Sequence, residues 1–165
     1  MQTVISNSSP LIHLSKINQL HILEELFEEI IVPEAVYDEC VVEGGDRRDA
    51  KHIENADWIN VKSIKKENVH LKRAFLKDID EGESEAIVLA LQESAELILL
   101  DEYDARELAR SYNLKITGVI GLLLKAKKEK KIKDVSKHLN KLKSTGFWID
   151  DELYNKILKK LDDTE

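Results

Sequence analysis

The run from Asp78 to Glu102 constrains this chain more than any other stretch. It reads Asp78-Ile-Asp-Glu-Gly-Glu83, then Ser84-Glu-Ala-Ile-Val-Leu-Ala-Leu91, then Leu97-Ile-Leu-Leu-Asp-Glu102. An acidic cluster opens a helix, and Ile87, Leu89, Ala90 and Leu91 give that helix an apolar face at roughly helical spacing. Leu97–Leu100 is too short for a core helix and reads as a buried strand of a parallel sheet. In an open α/β sheet, ligands sit beyond the carboxyl ends of the strands. Asp101 stands there, and the helix start that carries Glu83 and Glu85 can be brought beside it. Carboxylates converging at a strand end suit Mg²⁺ or Mn²⁺, which prefer oxygen ligands.

The rest of the chain agrees with an α/β reading. Thr3–Ser6 reads as a first strand, followed by a polar turn and a helix with Leu11, Ile12, Leu14 and Ile17 on its core face. Ser9 suits the N-cap of that helix and Pro10 its first turn. Asn7 therefore lies at a strand's carboxyl end, as Asp101 does. Residues 20–27 suggest a short helix and Glu29–Val32 a second strand. Pro33 then opens a helix through Val36, Cys40 and Val41, which ends near Gly44-Gly45. A helix over 47–55, a strand over 58–61 and a helical turn over 71–76 precede the acidic cluster. After Asp101 come a helix over 103–112, a strand over 115–117 and an apolar helix over 119–127. Two amphipathic helices, 135–143 and 150–161, complete the chain as extra C-terminal elements, joined through Gly146-Phe-Trp148. Trp58, Phe147 and Trp148 read as core or interface anchors rather than base-stacking platforms, since no aromatic–basic interleaving surrounds them.

Several function classes are excluded or weakened. Cys40 is the sole cysteine, so no intramolecular disulfide and no cysteine metal cluster can form. The five histidines are scattered without the paired spacing of a zinc site. No Gly-rich phosphate loop and no G-x-S-x-G elbow occurs. No apolar run approaches membrane-spanning length and no leader precedes the first strand, so an intracellular, cytoplasmic place is the default. The net charge of −7 argues against a protein that merely coats nucleic acid, but it leaves room for an acidic metal site. Against that balance, 125–143 is rich in lysine and has only Glu129 and Asp134 to oppose it. Lys125, Lys127, Lys128, Lys130 and Lys131 read either as a solvated face or as a phosphate-contacting ridge close to the acids.

Taken together, Val4-Ile-Ser-Asn-Ser-Ser-Pro-Leu-Ile12, Ile31-Val-Pro-Glu-Ala-Val-Tyr-Asp-Glu39, Gly82-Glu-Ser-Glu-Ala-Ile87 and Leu99-Leu-Asp-Glu102 resemble the PIN-domain family. Within it they resemble an uncharacterised branch related to VapC-like toxins. Lys115-Ile-Thr-Gly-Val-Ile-Gly121 and Gly146-Phe-Trp-Ile-Asp-Asp-Glu-Leu153 extend the likeness along nearly the whole chain. The resemblance implies one domain over 1–165: a three-layer α/β/α fold with a central parallel sheet, the helices of 119–165 packed on it or extending it. It implies a ribonuclease that holds Mg²⁺ or Mn²⁺ with acids, RNA as substrate, an antitoxin protein as partner and a homodimer. The family's four acidic positions fall on Asn7, Glu39, Glu83 and Asp101, with Asp104 placed to substitute for or assist the last. Asn7 departs from the usual Asp, which weakens the catalytic expectation and leaves the fold untouched.

Bland alternatives stand beside each of these roles. Asp101 could N-cap the helix that follows it. Glu83 would be stabilising in a first helical turn in any case, and Glu85 reads as a surface or supporting residue. Glu39 rests on the resemblance alone. Ser9 could orient a metal-bound water, although capping suits it as well. The competing functions are a PIN-like module that binds RNA or a protein without cleaving, and, more distantly, a phosphoryl-handling α/β protein. The latter wants paired acids after the first strand, where this chain has Asn7-Ser8-Ser9.

Overall fold

The computed structural model describes residues 2–164. Five parallel strands form one sheet in the order β3-β2-β1-β4-β5: β1 (Val4–Ser6), β2 (Ile30–Pro33), β3 (Ile59–Lys62), β4 (Leu97–Leu99) and β5 (Ile116–Thr117). The register pairs Ile5 with both Ile31 and Ile98. The chain builds outward from β1 to β2 and β3, then returns to place β4 on the other side of β1. The strand order therefore reverses between β1 and β4, and the crevice at their carboxyl ends is where such sheets bind ligands. Asn7 follows β1 directly and donates its backbone N–H to the Leu99 carbonyl at 3.0 Å.

Helices cover both faces, and alternation along β1 explains how. Val4 points into one core with Leu11, Leu14, Val119 and Leu122, while Ile5 points into the other with Ile87, Leu89 and Ile98. The first core lies under α1 (Ser8–Lys16), α2 (Ile22–Phe27), α4 (Arg48–Glu54), α8 (Val119–Lys128), α9 (Val135–Ser144) and α10 (Asp151–Thr164). The second lies under α5 (Val69–Phe75), α6 (Glu81–Gln92) and α7 (Tyr103–Ser111). The outcome is the expected three-layer α/β/α arrangement with a central parallel sheet.

Four local expectations change. The helix over 71–76 starts at Val69, after a 3₁₀ turn at Lys66–Asn68. The helix after Pro33 is regular only over α3 (Glu34–Tyr37) and widens into a π-helical turn at Asp38–Val42. In α6, every residue from Gly82 to Ala90 is buried, so this helix has no solvated face until its last turn. Trp148 is 80% exposed, so it is no core anchor, whereas Trp58 and Phe147 pack against the first core.

Candidate active site

The first turn of α1 distributes three consecutive polar side chains to three destinations. Asn7 is the N-cap by backbone geometry, with extended φ and ψ, but its side chain caps nothing. This corrects the expectation for Ser9, which lies inside the helix and donates its hydroxyl to Asp101 Oδ2 at 2.7 Å. Ser8 hydrogen-bonds Glu39. Asn7, 3% exposed, turns its amide oxygen toward the start of α6, where Oδ1 has no hydrogen-bond partner.

Gly82 makes that approach possible. A Cβ added to Gly82 would stand 3.1 Å from Glu39 Oε2 and 3.4 Å from Asn7 Oδ1, so both oxygens face the same small space. Glu39 reaches it from the π-helical turn. Burial pushes its carboxyl above the usual range; the Ser8 hydrogen bond works against this, and the charges of Asp80 and Glu43 add to it.

Glu83 divides its two oxygens between two tasks. Asp80 and Glu83 form a capping box: Asp80 Oδ1 accepts the Glu83 backbone N–H at 2.8 Å, and Glu83 Oε1 accepts that of Asp80 at 3.1 Å. Glu83 Oε2 is buried and has no partner. Burial is the main cause that lifts its pKa to about 7; the backbone bond with Asp80 opposes it, and the Asp80 and Glu102 carboxylates contribute. Glu83 thus serves the helix start with one oxygen and leaves the other buried and unpartnered.

Asp101 is differently placed. Besides the Ser9 hydroxyl, it accepts the Val119 backbone N–H on Oδ1 at 2.8 Å. It therefore caps α8, 18 residues on, and not α7, whose N-cap is Glu102. A Cβ at Gly118 would lie 2.6 Å from Asp101 Oδ1, so only glycine lets the carboxylate reach the helix end. Arg106 donates to the Leu100 carbonyl at 2.9 Å and adds positive charge beside Asp101.

A hollow of about 510 Å³ opens over Glu83, and Asp80, Glu102, Asp104 and Lys77 are among the residues that line it. A second, of about 290 Å³, is lined by Glu39, Glu43, Asp80 and Gly82. Asp80 lines both. Sequence reasoning passed over it, although Asp80-x-x-Glu83 ahead of an apolar run is the capping-box signature. Glu85, expected at the surface, is buried. It accepts the Ala35 backbone N–H at 3.1 Å and the Lys72 ammonium at 2.5 Å, which joins α3 and α5 to α6. Asp104 is exposed in the first turn of α7 and lines the larger hollow with Glu83.

The lysine segment begins at the other end of α8 from Asp101. Lys125 is six residues beyond Val119, about 9 Å along the axis. Lys125 pairs with Glu129 at 2.9 Å, and Lys127 donates to the Lys133 carbonyl.

Among the described residues, no three His, Cys, Asp or Glu side chains are grouped to hold a metal. A closed carboxylate cage is therefore not built here. Two buried oxygens without partners and carboxyls raised by burial do fit a hydrated cation, since Mg²⁺ keeps several waters and takes only one or two carboxylates.

A family model described as a PIN domain matches residues 3–163. No curated protein matches the chain. Domains of the matching family have a nuclease-type fold, generally use divalent metal ions and generally bind RNA. None of the helices in the described residues is long and apolar enough to cross a membrane. The match runs over nearly the whole length, and the parallel sheet between two layers of helices agrees with it: the chain belongs to the PIN-domain family.

Proposed function

We propose that this chain is a divalent-metal-dependent ribonuclease of low activity. The observation that carries this reading is the pair of buried, unpartnered oxygens at the start of α6, Asn7 Oδ1 and Glu83 Oε2. Leaving such groups without a partner is costly unless a cation or ordered water completes them. Asn7, Glu39 and Glu83 would hold Mg²⁺ or Mn²⁺, with Asp101 as the fourth member of the set. When bound, such a cation polarises the phosphate and lowers the pKa of an attacking water. The chain's own residues supply the setting. Ser8 orients Glu39, Ser9 fixes Asp101, and the capping box holds Glu83 at the helix start. Each Asp101 oxygen keeps a second lone pair beyond the bond it already accepts. Asn7 contributes an acceptor without a charge, which is the reason for low activity.

In the form that the resemblance gives it, the enzyme is the toxin of a toxin–antitoxin pair, a cytoplasmic homodimer restrained by an antitoxin protein. Lys125, Lys127, Lys128, Lys130 and Lys131 would then meet phosphates of the strand flanking the cleavage point. A second reading, a PIN-like module that binds RNA without cutting it, is favoured by two observations: among the described residues no three acids are grouped to hold a metal, and the first position is an amide.

Metal titration by calorimetry, run beside cleavage of a mixed RNA pool, separates the two. Native protein should bind Mn²⁺ weakly and cleave slowly, Asn7→Asp should improve both, and Asp101→Asn should abolish cleavage. Metal binding without cleavage in native and Asn7→Asp alike would select the binding module. An Asn7→Asp protein that binds metal no better than native would remove Asn7 from the site.

A further inference from the structure

Tyr103 is the first residue of α7, 72% exposed, on the rim of the larger hollow. The other three tyrosines are engaged. Tyr112 packs edge-on against Phe75 at 5.4 Å, Tyr154 donates to Asn140 and lies under the Lys143 ammonium, and Tyr37 is half-buried against the first core. Tyr103 has no hydrogen bond and no ring contact with the other described residues. The ring stands at a helix start beside acids and belongs to neither core. Leu76, 43% exposed, lines the same hollow, as does Lys77. The hollow thus combines a flat π-face, an aliphatic surface and one cation, Lys77, with five acids, Asp78, Asp80, Glu83, Glu102 and Asp104. At about 510 Å³ the space falls in the range of small-molecule sites and can admit a nucleotide.

We infer that Tyr103 stacks on an unpaired base of single-stranded RNA in the hollow that Leu76 and Lys77 also line, and so positions the adjacent phosphate over Glu83. This rests on the ribonuclease reading and adds to it a positioning residue. The chemistry follows from what the rim offers. Any base presents a π-face to an aromatic ring, whereas a base inside a duplex already has its faces covered. The acids of the hollow repel phosphate unless a cation lies between them, so a contact that does not depend on charge is what a strand needs at this rim.

The test measures binding of a short fluorescent oligoribonucleotide by anisotropy with Ca²⁺ present, using native protein, Tyr103→Ala and Tyr103→Phe. A second oligonucleotide series replaces one base at a time by an abasic unit. Tyr103→Ala should weaken binding about tenfold, as expected for loss of one stacked base, and Tyr103→Phe should restore it. One abasic position should weaken native protein by the same factor and leave Tyr103→Ala unchanged, which is the signature of a direct pair. A fully paired RNA should compete poorly. If native protein binds the single strand but Tyr103→Ala binds it equally well, or if duplex competes equally, stacking is overturned and the ribonuclease reading stands. If native protein binds no RNA with or without Ca²⁺, both fall. Thermal melting keeps the variants comparable, since a ring that touches no core should leave Tm unchanged.

Discussion

Asp101 and Glu83 are both acids at the carboxyl edge of the same sheet, yet the protein treats them in opposite ways. Asp101 has a hydroxyl donor on one oxygen and a helix N–H on the other. Glu83 has one oxygen in a capping box and the other buried without a partner, facing the same end of α6 as the orphaned Asn7 oxygen. The difference teaches that position at a strand end does not by itself tell what an acid does. Asp101 joins α1 to α8 and contributes stability whether or not a cation is bound. Asn7 and Glu83 each keep a buried oxygen without a partner, so the fold tolerates unfavourable polar burial at the start of α6 that a cation or ordered water would relieve.

The contrast can be broken most forcefully at Asp101. Asp101→Ala removes two charge-assisted hydrogen bonds and should cost about 3 kcal/mol, lowering Tm by roughly 10 °C in calorimetry without metal. A shift within a degree or two would show that the joint is not held there. Asn7→Asp should act in the other direction with metal than without it. A new carboxylate at a buried position facing Glu39 should lower metal-free stability by about 2 kcal/mol, and saturating Mn²⁺ should recover more than it gives native protein. Melting curves with and without Mn²⁺ decide this; equal gains for both proteins would place the new charge outside the cation's reach.

Glu83→Gln tests the unpartnered side with the capping box kept, because Gln also serves at that position. The sign follows from a folded pKa raised from the ordinary 4.5 to about 7. The folded state carries no penalty below the unfolded pKa; the penalty grows between about pH 4.5 and 7 and is complete above that. Gln should therefore match Glu at pH 4 and be more stable by about 2 kcal/mol at pH 8, without metal, in denaturant titrations. Identical pH profiles would show that Glu83 is solvated. The smallest effect belongs to Ser9→Ala, about 1 kcal/mol, and it should shrink to nothing in an Asp101→Ala background if the two form one unit.

Much of the fold was legible because its signals are local. Short apolar runs closed by polar turns, Val4–Ser6 before Asn7 and Leu97–Leu99 before Asp101, mark parallel strands and put both residues at one edge. What was not legible depends on packing. The burial of Glu85 could not be read locally: α3 and α5 close over that end of α6, so Glu85 binds Ala35 and Lys72. The partner of Ser9 is 92 residues away, and no local rule weighs that against a cap. Val69 and His70, outside the helical turn expected over 71–76, are helical because α5 packs on α6, with Lys72 bound to Glu81 and Glu85. Asp80 is the opposite case, a legible capping box whose first member was overlooked.

The π-helical turn at Asp38–Val42 makes chain length a variable of the site. Such a turn accommodates one residue more than the regular ladder. Removing one residue from it would let the regular ladder close and shift the residues between the deletion and the end of the turn by one position, about 100° around the axis. A deletion before Glu39 would swing the acid away from Gly82; a deletion after it would swing Val41 out of the core that it shares with Val36. A shortened turn would disarm the site without replacing a single acid.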